Sequence, residues 1–368
     1  MTDPLAQPLR LPCGAVVPNR LCKAAMTEGL GDAQLRATER HVRLYRAWSE
    51  GGAGLHITGN VMIDRHVIER PGNVAIDPTH PPSVDAEARA RLKAWAAAGT
   101  VGGNGLWMQI SHAGRQSPRY ATRQPVGPSD VQLDLLGNYA RPRALREDEI
   151  TGLVQRFAAV AVIARETGFT GVQVHGAHGY LLSSFLSPIT NRRTDAWGGS
   201  LENRARFLLE VVDACVAIWG AGRVGVHLSP RGGLHGMKDS DPARLFSYVA
   251  CELDRRDIAF LFLRESPASD SLLPMIKCQF GGAIIANEHF DLPTAQTTLS
   301  KGMADAVSFG KAFLSNPDLP LRLQLRAPLN AWDQSSFYTQ GPKGYTDYPF
   351  LKSSPECDQP VGEDLQAH

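Results

Sequence analysis

Short uninterrupted apolar runs alternate along this chain with longer stretches whose apolar residues recur every three or four positions. The short runs fall at 21–25, 54–58, 105–110, 171–175, 223–228, 258–263, 283–286 and 306–309, and read as strands buried on both faces. The longer stretches fall at 38–50, 83–98, 147–167, 203–219, 242–255 and 293–301, and read as amphipathic helices. Some carry start signals, such as Asp148-Glu149 early in one and Asp241-Pro242 opening another. Strand–helix alternation implies parallel strands joined by right-handed crossovers. Eight such units with no break in composition predict an α/β protein, a (β/α)8 TIM barrel, rather than a doubly wound sheet. Residues 111–146, after the third strand, are rich in Pro, Gly, Ser and Arg and are expected to form a long lid region. One domain is expected over residues 1–350, followed by a polar, partly disordered tail at 351–368.

Composition narrows the partners. The net charge of +1 gives no case for nucleic acid or an anionic membrane. No apolar run approaches the roughly 20 residues of a membrane span, and Met1 to Arg10 has no apolar core of a signal peptide. The six cysteines are scattered without a C-x-x-C pair, which argues against a metal knuckle or a disulfide framework. These features suit a cytoplasmic enzyme with reduced thiols, and they leave a homo-oligomer open.

Chemistry in such a barrel sits at the C-terminal ends of the strands. Polar residues there are Thr27 and Glu28, Asn60, Gln109, His175 to Tyr180, His227, Asn287 and Lys311. The segment His175-x-x-His178-x-Tyr180 stands out. A helical turn after the strand would put both imidazoles on one face, with a phenol beside them. Two neutral donors and one acid can hold a carbonyl oxygen and protonate the carbon next to it. Core packing or capping is the competing reading of the histidines. Metal ligation is not expected, because no carboxylate or thiol motif stands near as a third ligand.

At this point the residues match a family. The chain resembles the Old Yellow Enzyme family of FMN-dependent ene reductases over nearly its whole length. The motifs are Asn19-Arg20-Leu21-Cys22-Lys23-Ala24-Ala25-Met26-Thr27-Glu28, Gln109-Ile110-Ser111-His112-Ala113-Gly114-Arg115, His175-Gly176-Ala177-His178-Gly179-Tyr180 and Thr190 to Arg204. Asn316-Pro317-Asp318-Leu319, Phe337-Tyr338 and Gly344 to Pro349 follow in the family's order. The resemblance implies FMN across the strand ends, with NADH or NADPH as hydride donor and a small enone or enal as substrate. Ala25, Met26 and Thr27 should line the flavin, Gln109 should bond its pyrimidine edge, and Asn60 should lie close by. His175 and His178 should bind the substrate oxygen, Tyr180 should deliver the proton, and Ser111 and Tyr338 should border the substrate pocket. His112, Arg115 and the 191–204 stretch are expected to be scaffold, Cys22 a buried small hydrophobe; Glu28 stays open between a role behind the flavin and a solvent-facing one.

Three positions depart from the family pattern, all at the cofactor. His227 replaces an Arg that faces the N1/O2 edge of the flavin. Glu288-His289 replaces a Gly-Gly pair whose amides hold the phosphate. In Gly310-Lys311, Lys replaces a phosphate-binding Arg. Weaker FMN binding or a lower reduction potential is therefore expected. The alternatives are an isomerase or desaturase of the same fold, or a barrel with weakened flavin binding serving as a binding protein. Iron–sulfur relatives are disfavoured, since Cys357 alone lies beyond the barrel.

Overall fold

A computed structural model describes residues 3–351 except Lys238. Eight parallel strands form the barrel: β1 Leu21–Lys23, β2 Leu55–Met62, β3 Gly105–Ser111, β4 Gly171–Gly176, β5 Val224–Leu228, β6 Phe260–Arg264, β7 Ala283–Asn287 and β8 Ala306–Phe309. Each pairs with its sequence neighbour, and the ring closes because β8 pairs with β1 (Val307 opposite Leu21) and β1 with β2 (Cys22 opposite Leu55). Helices α1 Glu39–Glu50, α2 Ala86–Ala98, α3 Glu147–Glu166, α4 Leu201–Trp219, α5 Pro242–Asp254, α6 Leu273–Gln279 and α7 Leu292–Ser300 follow the first seven strands. Two short helices, Lys311–Ser315 and Leu319–Leu325, follow β8. The expected start signal at Asp241 is in place, its carboxylate accepting from the backbone N–H of Arg244 at 3.0 Å.

The barrel interior is apolar at its N-terminal end. Cys22, Leu55, Ile57, Trp107, Phe260, Phe262 and Ile285 pack there under Leu11 and Val17 of an N-terminal hairpin. Trp107 and Phe260 meet at 4.7 Å between ring centroids. Gly171 and Gly225 make room for them, since a Cβ at Gly225 would stand 2.3 Å from the Phe260 ring. Burial pushes the Cys22 thiol far up, so it packs as a small hydrophobe. Among the described residues no helix is long and apolar enough to cross a membrane.

The stretch after β3 is tied down. Val126–Gly127 pairs with Arg143–Ala144, Arg115 donates to the carbonyl of His235 (2.6 Å), and His112 Nδ1 accepts from the N–H of Gly114 (3.0 Å). Arg193, ion-paired with Asp195, donates to the carbonyls of Leu145 and Pro128 and so holds the far end. Apart from Leu351, the C-terminal tail expected from the sequence lies outside the described residues.

Candidate active site

At the C-terminal end the barrel interior changes from apolar to polar, and strand register sets the layer. Asn60 lies opposite Gln109, Gln109 opposite Gln173, and His175 opposite His227. An extra residue in β2, between Ile57 and Asn60, bends that strand and brings Asn60 into the layer. Gln173 donates to Oε1 of Gln109 (2.5 Å), as does Nδ1 of His227 (3.0 Å). Gln109 donates to Oδ1 of Asn60 (2.7 Å), and the Asn60 N–H donates to Oγ1 of Thr27 (3.1 Å). Buried amides in one chain fix one another's orientation.

The two histidines of β4 do meet, but not through a helical turn. His175 is a strand residue, whereas His178 has φ 59° and Gly179 φ 78°. A left-handed turn closed by the Tyr180 N–H on the carbonyl of Ala177 (3.2 Å) folds His178 back over His175. Left-handed backbone is costly for a residue with a Cβ, and three groups from two loops, the one after β3 and the one after β5, hold it. The His178 N–H donates to Ser229 Oγ (3.0 Å), and its carbonyl accepts from Gln116 (2.6 Å) and lies 3.2 Å from Nδ1 of His235. Nε2 of His175 lies 3.4 Å from Nδ1 of His178, and the Tyr180 ring lies 4.8 Å from His175. Ser111, expected at the pocket wall, is fully buried and shares a 3.0 Å hydrogen bond with Nδ1 of His175. It orients the ring from behind.

Burial holds these imidazoles neutral. His175 is pushed down to about 4, and His178 and His227 go well below the ordinary value, with their neighbours' rings adding to the effect. His227 therefore brings no positive charge to its edge. With Nδ1–H committed to Gln109, its Nε2 is a buried, unpartnered lone pair. His178 Nε2 and Gln173 Oε1 are likewise buried without a partner. One ring nitrogen from each of His175, His178 and His227 lies within 4.8 Å of the others. His227 thus supplies the third nitrogen that the sequence motif did not offer, and ligand count alone does not exclude a metal here.

The other departures also have a structural form. Glu288 has φ 106° and His289 φ 55°, the backbone region that favours glycine. Side chains are thus carried on backbone that a Gly-Gly pair would adopt without strain, a strained arrangement for Glu and His. The Glu288 carboxylate is ion-paired with Arg264 at the end of β6 and lies 3.2 Å from His289. Its charge is thereby balanced. Arg231, Arg264, Glu288 and His289 line a cavity of about 410 Å³ there. Gly310 caps the helix whose first residue is the exposed Lys311. Ala25, Met26 and Thr27 follow β1 toward the same end, Met26 reaching the position a Gly310 Cβ would approach.

Glu28 points away from this layer. It is buried, accepts from the Tyr45 hydroxyl (2.5 Å) and pairs with Lys23 Nζ (3.4 Å), which lies 4.2 Å over the Trp48 ring. That makes it structural. Three residues at the site escaped the sequence reading. Gln173 had a visible signal, since it alternates with Val172 and Val174 exactly as His175 does. Arg264 also had one, as a charge ending the apolar run of β6. Glu69 had none: it lies in an irregular loop beyond β2, yet its carboxylate accepts from the Tyr180 hydroxyl and from Nδ2 of Asn60 (3.0 Å). Beside it Arg70 stacks at 4.1 Å on Tyr338, a residue with φ 64° at the mouth.

Fold and site together define a flavin-type barrel oxidoreductase: a polar layer for a planar heterocycle, two neutral imidazoles and a phenol above it, and a rim of paired charges with Lys311 beside it. The chain belongs to the NADH:flavin oxidoreductase / NADH oxidase family, whose sequence model matches residues 4–330. It is similar to 12-oxophytodienoate reductase 1 of Oryza sativa subsp. japonica, 42% identical over 273 residues that cover 68% of this chain and 70% of that one. It is 39% identical to 12-oxophytodienoate reductase 2 of Arabidopsis thaliana, covering 68% and 72%. Among solved structures it resembles morphinone reductase in complex with tetrahydroNAD (TM-score 0.87, 34% identity, 96% and 99% covered). It also resembles the old yellow enzyme homologue from Zymomonas mobilis (TM-score 0.88, 35% identity, 94% and 99% covered). The protein is an Old Yellow Enzyme-type oxidoreductase with FMN as cofactor, and the unpartnered polar atoms of Gln173, His178 and His227 fit a heterocycle rich in donors and acceptors.

Proposed function

We propose that the protein reduces the C=C bond of α,β-unsaturated carbonyl compounds with hydride from NADH or NADPH. The observation that carries this reading is the set His175, His178 and Tyr180, two neutral imidazoles within 3.4 Å of each other and a phenol against one of them. Bound FMN supplies two-electron hydride transfer, in from the nicotinamide and out to the β-carbon. The side chains do the rest. His175 and His178 donate to the carbonyl oxygen and stabilise the charge that develops on it. Tyr180, whose hydroxyl is held protonated by burial and then by Glu69, gives its proton to the α-carbon. Tyr338 and Arg70 border the entrance for a small enone or enal.

Gln109 and Asn60 would hold the pyrimidine edge, Thr27 with Ala25 and Met26 would line the ring, and His227 would face the N1/O2 edge. Glu288, His289, Gly310 and Lys311 would surround the phosphate through backbone amides and one ammonium. We place the protein in the cytoplasm, as one domain that can self-associate. Flavin-loaded protein given NADPH or NADH and 2-cyclohexenone without oxygen is expected to yield cyclohexanone. Flavin that is reduced but never reoxidised by a panel of enones would overturn the reading.

A further inference from the structure

We infer that Glu69 controls the proton that Tyr180 delivers: the glutamic acid form resupplies the phenol, and the carboxylate form withholds it. The inference rests on the ene reductase reading above and extends it to a residue that the family motifs in this chain do not contain.

Glu69 is the hydrogen-bond partner of the Tyr180 hydroxyl. It is built into place rather than swinging from a loop. Asn60 donates to it at 3.0 Å and Asn73 Nδ2 at 3.4 Å, while the backbone N–H groups of Glu69 and Arg70 both donate to Asn73 Oδ1 at 3.0 Å. Its side chain is 4% exposed. Asn60 also accepts from Gln109, so one chain of hydrogen bonds runs from the amides of the flavin layer to the phenol.

The geometry gives the two forms of Glu69 opposite effects. A carboxylate takes the phenol's proton into its own hydrogen bond, aiming it away from the cavity. Giving that proton up would then leave a phenolate against a carboxylate, two anions at contact in a buried site. A carboxylic acid donates to Oη instead and frees the phenolic O–H to point at the substrate. The balanced step follows. The electron pair of the enolate takes the proton from Oη, a C–H bond forming as the O–H bond breaks. Oη takes the proton of Glu69, and water later returns one to the carboxylate. Arg70, 3.7 Å from Glu69, offsets the charge left behind. The other titratable groups facing Glu69 are His175, Tyr120, Tyr139 and Tyr338. Glu69 is thus a positioning residue, acting through Tyr180.

The test compares holoenzyme with Glu69→Gln and Glu69→Asp across pH, following three rates: flavin reduction by NADPH, reoxidation by 2-cyclohexenone, and reoxidation by a benzoquinone. A quinone is protonated on oxygen and does not need Tyr180. Wild-type enone reoxidation should slow as pH rises. Gln does not titrate, so in E69Q that slowing should vanish. In E69D the shorter side chain loses contact, and enone reoxidation should fall at least tenfold while quinone reoxidation stays within twofold. An unchanged pH profile in E69Q, or equal loss with enone and quinone in both variants, would overturn the inference. Wild-type flavin that no enone reoxidises would instead refute the ene reductase reading and leave Glu69 unblamed.

Discussion

The two sides of the site differ in kind. On the β4 side, His175, His178 and Tyr180 match the family motif, and a strained turn pinned by two loops holds them together. On the β5–β8 side the side chains His227, Glu288 and Lys311 depart from the motif, Glu288 on a backbone that glycine would adopt freely. Glu288 and His289 occupy positive φ as a Gly-Gly pair would, and Arg264 balances the carboxylate. Groups that touch the reacting carbon and oxygen must be of one chemical type at one place. Groups that hold a phosphate or a ring edge can be exchanged, because amides and any nearby cation serve.

Substitutions on each side should separate the two. Tyr180→Phe is expected to cost on the order of 10²–10⁴-fold in enone turnover, with phenol binding unchanged. Equal turnover in the variant would take Tyr180 out of the proton step. His178→Ala should lower turnover by about 10²–10³-fold, the usual effect of losing one oxyanion donor, and should weaken phenol binding as well. On the other side His227→Arg puts a permanent charge where a neutral lone pair now lies. Its flavin should show a higher reduction potential and dissociate more slowly. A potential equal to or below that of the wild type, measured by redox titration, would mean that Arg264 already does this work.

Smaller effects test the neutrality of the site. Incubation with EDTA should leave turnover within about twofold, since the three imidazoles are assigned to organic partners; loss restored by zinc would make them ligands. Stability should fall on acidification. His41 and His56 are held down to about 3, and His112 and His175 to about 4, mainly by burial. The folded state therefore binds fewer protons than the unfolded chain below about pH 6.5. Stabilisation from these groups is complete above that pH and is lost progressively down to about pH 4 for His112 and His175 and about pH 3 for His41 and His56. Urea midpoints that do not change between pH 7 and pH 5 would contradict it.

The eight strands were legible because each is a short apolar run bounded by turn residues, and their observed limits shift by a few residues at most. Strand β2 runs on to Met62 because a bulge absorbs Thr58-Gly59, polar and flexible residues that read as an end. The helix Leu273–Gln279 and the two after β8 escaped notice because they are too short to show a period. Within the site, the strand-end residues could be named from sequence, but their partners could not. That His227 faces Gln109, and that Glu69 reaches Tyr180 across 111 positions, follows from barrel closure and a loop path that no local pattern encodes.

The proposed reaction depends on a flavin lying under the His175/His178 pair despite the altered cofactor side. A visible spectrum of the purified protein, recorded before and after addition of a phenol, tests it most directly. The protein should be yellow, should release FMN on heating, and should show a new long-wavelength band as the phenolate stacks on the ring between the two imidazoles. A colourless protein that takes up no added FMN, or bound flavin that gives no band with any phenol, would contradict it.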